Sequence, residues 1–138
     1  MTVNAPERND WISILVVDDN EKTRKLMAFL LEQQSGWLLL KAAFSGEEVL
    51  QMPAAPAPDV VFLDYDMPGM TGLKVLPLLR SKWSATYIIV LTHFDDELVR
   101  KAALTIGADD FWSKWDLDEN RIHALGQVVR GRRAGHHP

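Results

Sequence analysis

The sequence predicts an α/β domain of the doubly wound type, with a five-stranded parallel sheet covered by helices on both faces. Short apolar runs alternate along the chain with amphipathic segments of helical spacing, which is the first reason for this prediction. The runs are apolar at consecutive positions, as is typical of strands buried on both faces. Polar or charged residues follow the runs directly, as expected where parallel strands end at one edge of a sheet.

Length, charge and composition restrict the function before any motif is considered. The chain has 138 residues, of which 47% are hydrophobic, and this is enough for one domain with a buried core. A formal net charge of −4 provides no general attraction for nucleic acid or anionic membranes. Cysteine is absent, so disulfides, thiolate chemistry and cysteine-ligated zinc are excluded.

The two ends of the chain contain no targeting signal that we can identify. The opening MTVNAPERNDW lacks the apolar core of a signal peptide, and no later run approaches the ~20 apolar residues of a membrane span. We therefore expect a cytoplasmic protein that binds no membrane and makes no direct contact with nucleic acid. The expected organisation is an N-terminal extension at residues 1–11, one domain at residues 12–130 and a flexible tail at residues 131–138.

The first βα unit begins with the apolar run ISILVV, which ends at Asp18 and Asp19. Asn20 is suited to cap the helix that follows, where leucines and a methionine recur at helical spacing until Ser35-Gly36 ends it. The run WLLLKAA predicts the second strand. It is followed by SGEE, a capping-box pattern that begins a short helix.

The central strand is predicted by VVFLD, which stops at Asp64 and passes at once into the turn residues of YDMPGMTG. This strand is bounded by Pro58-Asp59 and Pro68-Gly69, so its length is set by turn signals on both sides. Asp64 is therefore expected at the carboxyl edge of the sheet, where ligands bind in open α/β folds.

Two further strands complete the sheet. A helix beginning at Thr71-Gly72 contains Pro77, for which we expect a kink or a late start. The run YIIVL predicts the fourth strand and places Thr92 and His93 at the same edge as Asp64. After a helix that ends at Gly107, the short run DFWS leads to Lys114, and a final amphipathic helix follows.

This alternation implies right-handed crossovers and a flavodoxin-like sheet in which every strand ends on one side. The residues at the strand ends are Asp18, Asp19, Asp64, Thr92 and Lys114, brought together from distant parts of the sequence. Two carboxylates about 4 Å apart repel by about 4 kcal/mol at an effective dielectric constant of roughly 20, so converging acids need a compensating charge. Oxygen ligands without cysteine or paired histidine favour Mg²⁺.

The same residues are suited to phosphoryl transfer, in which positioning and neutralisation of charge are the protein's main contributions. Asp64 would be the nucleophile, because a carboxylate is ionised at neutral pH and can form an acyl phosphate. Lys114 and the metal would neutralise the phosphoryl oxygens, and Thr92 would donate a hydrogen bond. Taken alone, Asp18 and Asp19 could equally be solvated capping acids, and their placement beside the other residues favours the functional interpretation.

The chain resembles the CheY-like receiver domains of two-component response regulators from about Ile12 to Arg130. The matching motifs are ILVVDDN, VVFLDYDMPGMTG, IIVLT and GADDFWSK, in the order and spacing of that family. The resemblance implies phosphate transfer from a histidine kinase to Asp64. It also implies that Mg²⁺ is held by Asp18, Asp19, Asp64 and the backbone carbonyl of Asp66.

The resemblance further implies a switch between two existing states, in which Thr92 moves toward the phosphate and Phe111 turns inward. The changed surface would bind an output protein or effector domain, or form a homodimer through the last strands and helices. It is implied to include five residues, namely Phe94, Arg100, Lys101, Leu104 and Phe111.

Three positions depart from the family pattern. Trp115 follows Lys114 where many receivers have proline, which argues against a cis peptide bond there, because a non-proline cis bond costs ~3 kcal/mol. His93 stands where a small residue usually follows the switch threonine, and its bulk could restrain Thr92. Asp66 adds an acid beside the site, and we expect it to alter the rate of dephosphorylation.

Two other functions remain open from the sequence. A phosphatase of the haloacid dehalogenase type is suggested by the DYD motif, but its paired acids follow the lysine, whereas here they come first. A receiver-like interaction module that takes no phosphate is suggested by His93 and Trp115. Against both, we expect a phosphoacceptor that promotes its own phosphorylation and dephosphorylation and is not a turnover enzyme.

Overall fold

The computed structural model describes the backbone of residues 11–135 and the side chains of residues 11–132. The expected N-terminal extension at residues 1–11 lies almost wholly outside the described residues, as do residues 136–138 of the expected tail. In the described part of the chain, five strands and five α-helices alternate, and one short 3₁₀ turn follows the last strand.

The elements have the following bounds: β1 Ile12–Val17, α1 Glu21–Glu32, β2 Trp37–Ala43, α2 Gly46–Leu50, β3 Val60–Asp64, α3 Gly72–Lys82, β4 Tyr87–Thr92, α4 Glu97–Ile106, β5 Asp110–Ser113, the 3₁₀ turn Lys114–Asp116 and α5 Glu119–Gly135. The strand order is β2-β1-β3-β4-β5, and every neighbouring pair is parallel. The predicted doubly wound, five-stranded parallel sheet is confirmed.

Both faces of β1, β3 and β4 are buried, because alternate side chains of these strands enter different cores, whereas the edge strand β2 exposes Leu38 and Leu40. One core combines residues such as Leu15, Leu63 and Val90 with side chains of α2, α3 and α4. The other combines residues such as Ile14 and Phe62 with side chains of α1 and α5. The consecutive apolar residues of the strands therefore follow directly from burial on two sides.

Local capping interactions fix where the helices begin. Asn20, Ser45 and Asp96 each accept a backbone N–H from the first turn of α1, α2 and α4 respectively. These bonds satisfy donors that have no partner within the helix. Gly107 ends α4 with a φ of 137°, a conformation that other residues rarely adopt. In the sequence, the same capping residues and glycine predict where these helices begin and end.

Three details differ from expectation. The sequence predicted a kink or a late start for α3; the late start does not occur, because α3 begins at Gly72 and includes Pro77, and the kink stays a prediction. Pro77 is exposed, and its ring therefore displaces no core side chain. The 3₁₀ turn Lys114–Asp116 was not predicted. The helix α5 continues to Gly135, past the expected end of the domain at residue 130, and that boundary stays a prediction.

No helix within residues 11–135 is both long enough and apolar enough to cross a membrane.

Candidate phosphoryl-transfer site

The carboxyl ends of neighbouring strands bring Asp18, Asp64 and Lys114 together. Asp18 follows β1, Asp64 ends β3 beside it in the sheet, and Lys114 follows β5. The ammonium of Lys114 lies 2.8 Å from Asp18 Oδ2 and 3.0 Å from Asp64 Oδ1. Both carboxylates are about 1% exposed. One buried cation therefore bridges two buried anions.

The charges of this group are strongly coupled. Burial, together with the nearby charge of Asp18, raises the pKa of Asp64 from 3.8 to about 6, although the Asp66 N–H and Lys114 oppose the rise. Burial opposes the charged form of Lys114, yet its pKa is raised because it donates to Asp18 and is attracted by Asp64. Lys114 therefore remains protonated, and its single positive charge cannot neutralise the negative charges of both Asp18 and Asp64.

The acidic group has the composition and spacing of a metal site. One carboxylate oxygen from each of Asp18, Asp19 and Asp64 lies within 4.8 Å of the other two. Asp19 is exposed, whereas the other two acids are buried. A hard divalent cation prefers such oxygen ligands and would supply the missing positive charge. The structure thus collects the three carboxylates that the sequence predicted as metal ligands.

The side chain of Asp64 is held through one of its oxygens. Oδ1 accepts hydrogen bonds from the Asp66 N–H at 3.0 Å and from Lys114. In the described part of the chain, no donor bonds to Oδ2. The carboxylate is therefore oriented by Oδ1, and Oδ2 is the oxygen available to react. The Asp66 carbonyl, expected to bind the metal, follows Asp64 by two residues in the exposed turn, and its role as a ligand stays a prediction.

A glycine allows α3 to begin directly against the end of β3. A Cβ atom at Gly72 would lie 2.6 Å from the Asp64 carbonyl oxygen and 2.9 Å from Tyr65 Cα. Both distances are shorter than real Cβ contacts, so any larger residue would displace the backbone of Asp64. Sequence analysis used Gly72 as a helix start and missed its effect on the position of Asp64.

Thr92 is buried at the end of β4, and its hydroxyl accepts a hydrogen bond from the Phe94 N–H at 3.2 Å. The residue between them, His93, is half-buried, and its backbone carbonyl accepts a hydrogen bond from the indole Nε1 of Trp115 at 3.0 Å. The peptide bond between Lys114 and Trp115 is trans, as expected for a residue other than proline. Despite this departure, Lys114 reaches both acids.

Phe111 differs from its expected place on the outer surface. It is 3% exposed and packs in the core formed with α2, α3 and α4, so it belongs to the interior in this structure. Phe94, by contrast, is 76% exposed, and Leu104 is 40% exposed. Phe111 and Trp112 are the two buried residues of β5 and pack in different cores, because neighbouring side chains of a strand point to opposite faces of the sheet. Its role in a switch stays a prediction.

The spacing of residues in the sequence does not predict one further contact near the site. Arg24 donates to the backbone carbonyl of Asp18 at 2.7 Å, and Asp18 Oδ1 accepts the Asn20 N–H at 2.8 Å. These bonds fix the loop between β1 and α1 and thus aim the Asp18 carboxylate. Arg24 lies one turn into a helix that carries other charged residues, and nothing in its sequence position distinguishes it from them.

Comparison with known proteins gives a consistent result. The family model described as "Response regulator receiver domain" matches residues 14–125. The transcriptional regulatory protein PhoP of Bacillus subtilis, which controls alkaline phosphatase synthesis, is 37% identical over 101 residues, covering 73% of this chain and 41% of PhoP. A protein-glutamate methylesterase/protein-glutamine glutaminase of Myxococcus xanthus is 35% identical over 128 residues, covering 91% of this chain and 35% of the relative.

Among solved structures, the signal receiver domain of NarL from Mycobacterium tuberculosis matches with a TM-score of 0.78 and 29% identity, covering 88% of this chain and 98% of that domain. The chain thus spans less than half the length of these two curated relatives, 41% and 35%, but nearly all of an isolated receiver domain.

Proposed function

Because this chain belongs to the response regulator receiver domain family, we propose that it is a signalling switch in which Asp64 accepts a phosphoryl group from a histidine kinase or phosphotransfer protein. The observation that carries this proposal is the buried Asp18–Lys114–Asp64 group, in which Lys114 Nζ lies 2.8 Å and 3.0 Å from the two carboxylates. This group supports the proposal because it combines a nucleophile with a fixed cation at one strand edge.

The transfer itself needs only the Asp64 carboxylate as a reacting group of this chain. A lone pair of Oδ2 forms the new O–P bond, the P–N bond of the donor's phosphohistidine breaks, and its electron pair stays on the imidazole, which takes up a proton. Asp64 Oδ1 stays bonded to the Asp66 N–H and Lys114 during the attack, so the carboxylate is already oriented. The product is an acyl phosphate.

Two other side chains would stabilise the transferred group. Lys114, which lies 3.0 Å from Asp64 Oδ1, would move its contact from the carboxylate to a phosphoryl oxygen. Thr92 would exchange the bond from the Phe94 N–H for one that its own hydroxyl donates to the phosphate. Both interactions are stronger with the phosphorylated residue than with free Asp64, so phosphorylation shifts the balance between two states.

The donor set fits a divalent cation, because three carboxylates offer oxygens within 4.8 Å of one another and only Lys114, among the described residues, forms ion pairs with them. We propose that Asp18, Asp19, Asp64 and the Asp66 carbonyl hold Mg²⁺. When bound, the ion would neutralise charge on the phosphoryl oxygens. Asp18 and Asp19 would meanwhile keep their place through the capped loop before α1.

We propose that residues 12–130 carry this function and that the output passes to an effector domain, a separate output protein or a second copy of the chain. Relatives such as PhoP are longer than this chain, which supports an output outside residues 12–130. We propose that the chain does not turn over phosphomonoesters, because Asp18 and Asp19 precede Lys114, the reverse of the order in phosphatases of the haloacid dehalogenase type.

The test is incubation with acetyl phosphate and Mg²⁺, followed by intact mass measurement. The wild type is expected to gain one phosphoryl group, which hydroxylamine should remove because acyl phosphates react with it. Asp64→Asn should gain none. Asp66→Asn is the matched control, since it removes an exposed acid two residues away and leaves the nucleophile in place. Equal labelling of wild type and Asp64→Asn, or none in the wild type, contradicts the proposal.

A further inference from the structure

Trp115 occupies an unusual position for a large aromatic residue. It follows Lys114 directly, lies in the 3₁₀ turn after β5 and is 79% exposed. Of the four other tryptophans, those at positions 37, 83 and 112 are between 2% and 8% exposed, and Trp11 is half-buried. An exposed indole gains little from burial, so its orientation must depend on specific contacts.

Those contacts join the end of β5 to the loop between β4 and α4 (residues 93–96, the β4–α4 loop). The Trp115 backbone N–H donates to Ser113 Oγ at 3.3 Å, and its indole Nε1 donates to the His93 carbonyl at 3.0 Å. The rings of Trp115 and His93 lie 6.0 Å apart at a tilt of 53°, within the range of favourable aromatic contacts. Trp115 is therefore anchored at its backbone and at its side chain.

The backbone carbonyl to which Trp115 donates belongs to His93, the residue directly after Thr92. In the same loop the Thr92 hydroxyl accepts the Phe94 N–H, so the His93 peptide lies between the two ends of that hydrogen bond. Thr92 and His93 are consecutive residues, so a movement of the Thr92 backbone toward Asp64 would also displace the His93 carbonyl. The indole bond of Trp115 opposes that shift.

Building on the proposed function, we propose that Trp115 is a positioning residue that restrains the β4–α4 loop through its indole N–H and thereby favours the unphosphorylated state. It acts through His93 on Thr92 and does not touch the phosphoryl group. Removing one exposed hydrogen bond should shift the equilibrium between the states about two- to fivefold. The affinity for a phosphate mimic should rise by the same factor, since the mimic binds the state that Trp115 opposes.

The test measures beryllofluoride affinity in the presence of Mg²⁺ for the wild type and Trp115→Phe. Phenylalanine retains an aromatic ring against His93 but has no N–H to donate. We expect Trp115→Phe to bind beryllofluoride about two- to fivefold more tightly. The second readout is the indole N–H resonance of Trp115, assigned by its absence in Trp115→Phe. It should move when beryllofluoride is added to the wild type and stay unchanged with Mg²⁺ alone.

Leu26→Ala is the matched control. Leu26 and Trp115 line the same cavity of about 220 Å³ between α1 and the 3₁₀ turn, but Leu26 makes no bond to the β4–α4 loop. Its replacement should leave the beryllofluoride affinity unchanged. If Trp115→Phe binds beryllofluoride no more tightly than the wild type, the proposed role of Trp115 is wrong. An indole resonance that stays unchanged in the wild type contradicts it as well, and neither result contradicts the proposed function. If no variant binds beryllofluoride, the proposed function is overturned together with this one.

Discussion

At the scale of single residues, the site is defined by an excess of buried negative charge. Asp18 and Asp64 are both about 1% exposed, and Lys114 contacts both. Breaking a buried ion pair normally destabilises a protein, because one charge is left uncompensated. Here the opposite is expected for Asp64, since its removal leaves Asp18 and Lys114 as a matched pair.

We therefore predict that Asp64→Asn stabilises the metal-free protein at pH 7 by about 1–3 kcal/mol. The folded protein raises the pKa of Asp64 from 3.8 to about 6, so it binds the proton more tightly than the unfolded chain does. The free energy of unfolding of the wild type should then fall as the pH rises from 3.8 to about 6. Urea denaturation at several pH values in the presence of a chelator measures both effects.

The gain from Asp64→Asn should disappear at a pH below 3.8, where the carboxyl is protonated in both states. Asp66→Asn serves as the control, because Asp66 is exposed and its replacement should change stability by less than about 0.5 kcal/mol. A loss of stability in Asp64→Asn at pH 7 would show that the Lys114 contact outweighs burial and repulsion.

Sequence patterns identify these residues to different degrees. Asp18, Asp64 and Lys114 follow apolar runs, and the rule that parallel strands end at one edge is enough to place them together. Arg24 and the indole of Trp115 act through hydrogen bonds to backbone carbonyls. Such bonds depend on loop conformation and rotamer, which no periodicity in the sequence encodes.

At the scale of elements, the approach of α3 to β3 determines where Asp64 sits. Gly72→Ala should destabilise the protein by about 1–3 kcal/mol, because the added Cβ would lie 2.6 Å from the Asp64 carbonyl oxygen. Phosphorylation by acetyl phosphate should also slow, since the backbone of the nucleophile must shift. Urea denaturation and the rate of mass increase measure the two effects separately.

Gly131→Ala is the control for this change, because a Cβ at Gly131 in α5 meets nothing within 4 Å. It should leave the phosphorylation rate unchanged and raise stability by about 0.5–1 kcal/mol, since alanine loses less entropy in a helix than glycine. If Gly72→Ala behaves like Gly131→Ala, the close approach at Gly72 does not constrain Asp64.

The elements themselves are largely encoded by local pattern. Strands that are apolar at consecutive positions and helices that begin at capping side chains were predicted and are confirmed in the described residues. The 3₁₀ turn at Lys114–Asp116 was not predicted, because three polar and aromatic residues carry no periodicity. Pro77 was expected to kink or delay α3, but α3 begins at Gly72, because only an interior hydrogen bond is lost and packing of neighbouring positions outweighs that cost.

At the scale of the whole molecule, the C-terminal boundary can be tested directly. Beyond residue 130, Arg132 lies 3.6 Å from Asp109 and 5.1 Å from the ring of Tyr87. Both contacts are at the amino ends of β4 and β5, opposite Asp64. A chain ending at Arg130 should therefore lose about 1 kcal/mol of stability at most and retain phosphorylation.

Thermal denaturation and intact mass measurement of the shortened chain check this prediction, with Arg132→Ala in the full chain as the comparison. The two variants should lose similar stability if the Arg132 contacts account for the effect. A shortened chain that fails to fold would place residues 131–138 inside the domain.

The global fold follows from the sequence because burial on both sheet faces and the handedness of βα crossovers leave few arrangements for alternating elements. The end of α5 at Gly135 does not follow, because the basic segment RGRR at residues 130–133 contains neither proline nor a clear core position. Domain boundaries of this kind depend on weak surface contacts, which small changes in sequence can shift.

The hydrogen bond between Lys114 and Asp18 joins residues separated by 96 positions. During synthesis, the ribosome must therefore release nearly the entire domain before this contact can form, and at roughly 5–20 residues per second that takes several seconds. A nascent chain in which Asp18 and Asp64 have left the ribosome still lacks the Lys114 ammonium that contacts them. Under the proposed function, newly made protein would not accept a phosphoryl group efficiently until Lys114 has left the ribosome.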